Sequence, residues 1–135
     1  MRVTRSYLQP TFNQMVDSLI DRQGALLIPA GAGLMDVFTY TIRAGTYGIL
    51  KLYTGSSIQI PVAINDIRMR VVLQRPGGAA VDLIDFWNRS VNRDFFVQSC
   101  EIPMPVGTVI TAQAANAGAV DRNVRMGAVI DLIFP

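Results

Sequence analysis

"VRMGAVIDLIF", residues Val124 to Phe134, places Val124, Met126, Ala128, Ile130, Leu132 and Phe134 on one side of an extended chain and Arg125, Gly127, Val129, Asp131 and Ile133 on the other. A period of two is the mark of a strand, because successive side chains of an extended backbone point to opposite faces. The same period recurs in "IRMRVVLQR", where Ile67, Met69, Val71 and Leu73 alternate with Arg68, Arg70, Val72 and Gln74. "DVFTYTIR" sets Phe38, Tyr40 and Ile42 against Val37, Thr39, Thr41 and Arg43. "SIQIPVAIN" sets Ile58, Ile60, Val62 and Ile64 against Gln59, Pro61, Ala63 and Asn65. Pro61 has no N–H to donate, which predicts an edge position or a bulge for that strand.

Weaker strand patterns cover Ala25 to Pro29, Tyr47 to Thr54, Val81 to Phe86, Asp94 to Ile102 and Thr108 to Ala115. Turn-forming clusters stand between them: "GAG" at Gly31 to Gly33, "RAGTYG", "TGSS", "RPGG" at Arg75 to Gly78, "PMPVG" and "NAGAVDRN". Eight or nine short strands at this spacing predict an all-β fold, an antiparallel β-sandwich or small barrel. No repeat of fixed period is present, which argues against a propeller or solenoid. Among sandwiches the eight-stranded jelly roll is expected, with an immunoglobulin-like sandwich as the alternative.

One stretch departs from the period of two. In "PTFNQMVDSLIDRQG" the apolar residues Phe12, Met15, Val16, Leu19 and Ile20 recur at helical spacing. Thr11 and Gln14 match a capping box and Gly24 a stop, so the spacing predicts a short helix over Phe12 to Arg22. The expected organisation is an N-terminal arm and helix over residues 1–24, followed by one sandwich domain over residues 25–135, since 135 residues suit a single core.

Half of the residues (50%) are hydrophobic and only 16% are charged, with a mean hydropathy of +0.32. An ordinary soluble chain is about a quarter charged, so this one has unusually little charge with which to keep its surface apart from others. Burial against other subunits accounts for that shortage. Membrane spanning does not: the uncharged runs Gln23 to Met35 and Ile102 to Val120 are too short or too polar to supply ~20 apolar residues. Arg2 and Arg5 precede Pro10, Asn13, Gln14, Asp17 and Asp21, which interrupt any signal-peptide core. A lone cysteine excludes an intrachain disulfide framework.

Net charge is +2, yet of the twelve cations only Lys51 is a lysine, and the arginines group loosely as Arg68/Arg70, Arg89/Arg93 and Arg122/Arg125. No basic run with interleaved aromatics marks a nucleic-acid surface. Arginine without lysine suits protein interfaces, where a weakly hydrated planar guanidinium makes bidentate contacts.

The chain contains no histidine, which removes the commonest general base and metal ligand together with every Ser-His and Cys-His arrangement. One cysteine cannot build a cysteine zinc site, so neither a metal nor a cofactor is expected. Carboxylate chemistry would have to come from Asp82 and Asp85, with Asp66 and Asp94 elsewhere, and aspartates beside turns are ordinarily turn formers. Cys100 and Glu101, the only cysteine and the only glutamate, face opposite sides of an extended chain. The thiol reads as a small buried hydrophobe, and Glu101 calls for an arginine partner. Tyr40, Tyr47, Tyr53 and Trp87 could stack on sugars, although Phe86 and Trp87 together suit a packing role.

"NRDFFVQSCEIPMPVGTVITAQ", the small-residue loop "AANAGAVDRN" and the final strand "VRMGAVIDLIF" resemble the closing strands of small jelly-roll capsid-associated and decoration proteins of bacteriophages. The resemblance covers roughly the last third of the chain, in strand and turn style. It implies a sandwich that forms a homo-oligomer, a trimer above all, seated on or between major capsid subunits in the virion after synthesis in the host cytoplasm. The expected function is therefore a non-enzymatic virion structural protein: a capsid decoration or cement protein, or a minor capsid component. A carbohydrate- or receptor-binding domain of a spike or fibre is the alternative, and an aspartate-only hydrolase a third class. The candidate interface residues are Phe12, Met15, Leu19, Arg68, Arg70, Trp87, Arg89, Arg93, Arg122 and Arg125.

Overall fold

The computed structural model describes residues 15–18, 22–57, 66–88 and 95–134. In chain order the strands are β1 (Met15–Ser18), β2 (Arg22–Ile28), β3 (Met35–Thr41), β4 (Tyr47–Ser57), β5 (Ile67–Gln74), β6 (Ala80–Trp87), β7 (Phe95–Met104), β8 (Val109–Asn116) and β9 (Arg122–Phe134). They form two antiparallel sheets stacked as a β-sandwich. The first, sheet A, has the order β1-β9-β4-β7 with β2 also on β9; the second, sheet B, has the order β3-β8-β5-β6.

β2 meets β9 over Arg122 to Ala128 and β1 meets it over Asp131 to Phe134, while β4 takes the opposite edge over Val124 to Ile133. β1 and β2 therefore lie end to end along one edge, and each sheet is four strands wide. Only β5 and β6 are consecutive neighbours within a sheet; every other connection from β2 to β9 crosses between sheets.

The short helix expected over Phe12 to Arg22 is not formed. Met15–Ser18 is strand β1 and Arg22 opens β2, both paired with β9. The rest of that stretch lies outside the described residues, as does the strand expected at Ile58 to Asn65. The physical reason is tertiary: β9 is thirteen residues long and would leave a row of N–H and C=O groups bare along one edge. The segment from Met15 pairs with that row, outweighing a helical periodicity worth a few tenths of a kcal/mol per residue. Among the described residues no helix is long and apolar enough to cross a membrane.

The alternation read in the sequence builds the core. Val124, Met126, Ala128, Ile130 and Leu132 of β9 are buried, as are Ile67, Met69, Val71 and Leu73 of β5, and Leu50, Ile110 and Met104 join them between the sheets. Phe96 lies edge-on to both Phe86 (5.6 Å) and Tyr53 (6.1 Å), filling one side of the sandwich. Opposite it, Gly55 is paired with Phe96, and a Cβ there would come within 2.5 Å of the ring and 2.9 Å of Met69 Sδ. The absent side chain is what lets the aromatic seat.

Thr54–Ser57, a turn by composition, belongs to β4, and β7 continues through Pro103 to Met104. Pro103 is tolerated because β7 is an edge strand of sheet A, with only β4 as a neighbour among the described residues. The corner itself is Pro105 to Thr108, closed by the Thr108 N–H donating to Pro105 O (3.0 Å), with Gly107 at a φ of 87°.

Near Lys51 the strands are counted unequally: β9 advances one residue (Val129 to Ile130) while β4 advances two (Leu52 to Leu50) and β7 three (Ser99 to Ile102). These paired bulges splay sheet A at its middle, and Lys51 is the extra residue of β4 relative to β9. Cys100 and Glu101 are thereby placed beside it. Lys51 Nζ bonds Glu101 Oε2 at 3.0 Å, so the partner of Glu101 is a lysine and not the expected arginine. Cys100 Sγ turns the other way, against the core, and donates to Leu50 O (3.3 Å).

Candidate functional site

Two large outward surfaces exist on a sandwich of this kind, and their chemistries differ. On sheet B the outward residues of β5 are Arg68, Arg70, Val72 and Gln74, since the alternate positions are buried. Register places Trp87 beside Arg68, then Asp85, Arg70, Gln113 and Asp36 in one row across all four strands, then Asp82, Val72, Thr111 and Thr39 in the next.

The polar groups of these rows bond one another. Arg68 holds Asp85 with two parallel bonds (Nε to Oδ1 2.8 Å, Nη2 to Oδ2 2.7 Å), the fork geometry that suits guanidinium and carboxylate. Arg70 donates to Asp82 (Nε to Oδ1 2.9 Å) and to Gln113 Oε1 (3.4 Å), and Gln113 passes the chain on to Asp36 Oδ1 (2.8 Å). Thr39 and Thr111 share a hydrogen bond of 2.7 Å. The Arg68 guanidinium holds the Asp85 carboxyl below its ordinary range, chiefly through those hydrogen bonds. A general acid needs the reverse shift, so the Asp85 carboxylate is built as an arginine acceptor, and Asp82 accepts from Arg70 in the same way.

On sheet A the outward positions are Tyr47, Ile49, Leu52 and Thr54 of β4, Asn123, Arg125, Gly127, Val129, Asp131 and Ile133 of β9, Val97, Ser99, Glu101 and Pro103 of β7, and Leu27 of β2. Tyr47 meets Ile133 and Leu52 meets Val129 in register, and between these two apolar pairs Ile49 lies opposite Asp131. Leu27, Tyr47 and Val97 are exposed. Lys51 and Glu101 satisfy each other, and β9 adds Arg125 and Asp131 to the charged residues of this face.

The expected interface residues fall in several places. Arg68, Arg70 and Trp87 share the polar face of sheet B, Trp87 being 37% exposed. Arg125 is exposed on the apolar face of sheet A, opposite Ser56. Arg122 starts β9 across from Ile28, with its Nε buried and without a hydrogen-bond partner. Met15 pairs with Phe134 through the backbone of β1. Phe12, Leu19, Arg89 and Arg93 lie outside the described residues. Sequence reading passed over Ile49, Leu52, Val129 and Ile133; the signal available was the apolar content of the second face of β9. Among the described residues no group of three or more His, Cys, Asp or Glu side chains gathers as for a metal.

No family model matches the chain, and no curated protein matches it. Solved structures do. A chain of the acid-stable capsid of Helicobacter pylori bacteriophage KHP30 superposes with a TM-score of 0.51 at 12% identity, over 90% of this chain and 94% of that one. At that identity the likeness is one of fold, and it spans both chains almost entirely. The infectious bursal disease virus VP2 subviral particle gives a TM-score of 0.45 at 12% identity, over 92% of this chain and 34% of that one. The Eiger TNF of S. frugiperda gives 0.42 at 10% identity, over 90% and 92%. The present chain spans about a third of the length of the bursal disease virus chains it matches.

Proposed function

We propose that this protein is a non-enzymatic structural component of a virion, a capsid decoration protein or minor capsid subunit that acts by being bound. The observation that carries this reading is the end-to-end correspondence with a chain of a phage capsid, 90% of one against 94% of the other. The strand orders β2-β9-β4-β7 and β3-β8-β5-β6, with all but one connection from β2 to β9 crossing between sheets, support reading the sandwich as a jelly roll. Composition supports the same reading: 16% charged residues, and one sheet face with exposed apolar residues suited to contact. The protein self-associates, and it meets the major capsid protein in the particle.

The test is occupancy. Peptides of this chain are quantified by mass spectrometry against the major capsid subunit in particles purified on a density gradient. A fixed small-integer ratio that survives a salt wash is expected. Absence from the particles overturns the reading.

A second reading is favoured by one observation: Trp87 stands exposed on the outer face of sheet B beside the Arg68–Asp85 pair, an aromatic surface next to fixed polar groups. That combination suits sugar recognition. Glycan binding abolished by Trp87→Ala, with the thermal melt unchanged, would establish it.

A further inference from the structure

We infer that the protein seats on the capsid through the end of the sandwich built around Val106, where Arg43 and Arg75 take carboxylates of the capsid subunit. This deepens the proposed role, and rests on reading the chain as a virion component. Three turns meet at that end: residues 42–46 between β3 and β4, residues 75–79 between β5 and β6, and residues 105–108 between β7 and β8. In sheet B, β8 lies between β3 and β5, and its first residue, Val109, is opposite both Thr41 and Gln74. The corner that carries Val106 therefore stands between the turns that carry Arg43 and Arg75. The three turns are tied together. The Ile42 N–H donates to Thr108 O (2.9 Å) and the Gly107 N–H to Ile42 O (2.8 Å). From the other side Pro76 packs on Gly107, where a Cβ would come within 2.9 Å of the proline Cγ, and Arg75 Nη2 donates to Pro103 O (3.0 Å). Thr46 Oγ1 donates to Arg43 O (2.8 Å) and the Gly78 N–H to Arg75 O (3.0 Å), closing the turns that hold the two arginines.

The charge of this end has one sign. The three turns hold two cations, Arg43 and Arg75, and no carboxylate. Both arginines are exposed, and Val106 is 45% exposed between them. The next carboxylates along β6, β7 and β9 are Asp82, Glu101 and Asp131, which lie back on the sheet faces. Asp82 is held there by Arg70 and Glu101 by Lys51, and Asp131 also has an interaction within the chain. β1 starts at the same end, with Met15 opposite Phe134, and residues 1–14 before it hold Arg2 and Arg5 and no carboxylate.

The sign of the charge indicates the occupant. A positive end repels the same end of a second copy, and an acidic surface complements it. The chemistry at its centre makes that surface a protein. An apolar side chain flanked by arginines is the anatomy of a protein interface, an apolar core with a polar rim, and a guanidinium takes a carboxylate with two parallel bonds. A nucleic-acid surface is met instead by many phosphate contacts along a basic stripe, and an exposed valine in the middle of the site would have no partner there. The hydrogen bonds between the turns fix Val106 and the two arginine backbones before contact, which reduces what docking has to order.

The experiment is co-sedimentation of the full chain with particles assembled without it, for the parent and for Arg43→Glu, Arg75→Glu, Val106→Asp and Val120→Asp. Each of the first three should weaken binding about tenfold or more. Val120→Asp places the same change on an exposed valine of the β8–β9 loop, at the opposite end of the sandwich, and should stay within about threefold of the parent. Thermal melts show which variants are folded. Arg75→Glu gives up the bond to Pro103 O, and if it fails to fold, Arg43→Glu and Val106→Asp decide. Binding to particles that is indifferent to those two changes, or that Val120→Asp weakens as much as they do, overturns the contact and leaves the virion role standing. Binding to a short DNA duplex as tight as to the particles, with the same losses in the arginine variants, overturns the protein partner. A chain that neither sediments with the particles nor occurs in purified ones overturns the virion role, and the contact with it.

Discussion

Arg68 on β5 and Asp85 on β6 are joined diagonally by two hydrogen bonds of 2.8 and 2.7 Å, one step off the register that places Arg68 opposite Trp87. The carboxyl is held below its ordinary range by those bonds, against the opposing effect of its partial burial. A carboxylate whose folded pKa is depressed adds stability above its unfolded pKa of ~3.9 and loses it as the pH falls through the folded value. The protein is therefore expected to lose stability progressively below about pH 4. Asp85→Asn should lower the melting temperature at pH 7 and flatten that acid limb. A variant whose melting temperature falls with acid as steeply as the parent's would show that the pair is not responsible.

Gly55→Ala should cost about 1 to 3 kcal/mol, because its methyl group is driven into Phe96 and Met69 in a core that cannot yield freely. Urea denaturation measures it. Combining Gly55→Ala with Phe96→Leu should cost less than the sum of the two single changes, since the smaller side chain vacates the space. Strict additivity would place the cost elsewhere than at the ring.

Asn116 is a buried tie between three parts of the chain. Its Nδ2 donates to Ile28 O (3.0 Å) and Val120 O (2.8 Å), and its Oδ1 accepts from the Gly118 N–H (2.9 Å). Asn116→Ala leaves those partners without their bonds and should destabilise by about 2 to 3 kcal/mol. Hydrogen exchange at the Gly118 amide should accelerate more than at the centre of β8. Equal acceleration at both positions would point to global rather than local loosening.

Cys100 should be a slow thiol. Burial pushes its pKa up, Lys51 pulls weakly the other way, and Sγ is already committed to Leu50 O. Reaction with a disulfide reagent at pH 8 is expected to run about tenfold or more below that of the urea-unfolded chain, since the thiolate is the reacting form. A rate equal to the unfolded chain's would contradict the half-buried placement.

The legibility of this fold in its sequence follows the length of each uninterrupted alternation. β5 and β9 are long, carry no proline, and bury the residues that alternation put on one face. β3 was readable except at Val37, where a bulge between Asp36 and Phe38 turns a nominally outward residue partly toward the core. Met15–Ser18 was misread because its spacing fits a helix locally, whereas its conformation is set by β9, more than a hundred residues away. The same limit applies to the surfaces. That Arg68 and Arg70 alternate outward was legible, but that Asp85 and Asp82 occupy them depends on the β5–β6 register. The glutamate at 101 was expected to need an arginine and found Lys51, because the bulge in β4 that brings them together has no mark in composition.

That stagger of one, two and three residues across β9, β4 and β7 makes the local chain length at Lys51 a quantity shared by three strands. Deleting Lys51 would close the bulge of β4 against β9, remove the partner of Glu101 and leave β7 two residues in excess of β4 at that point. The exposed tip at Gly77 to Ala79, joining β5 to β6, belongs to no such count and can lengthen without consequence for any pairing. Descendants of this chain should accordingly vary in size at that tip and keep a fixed number of residues between Tyr47 and Ser57.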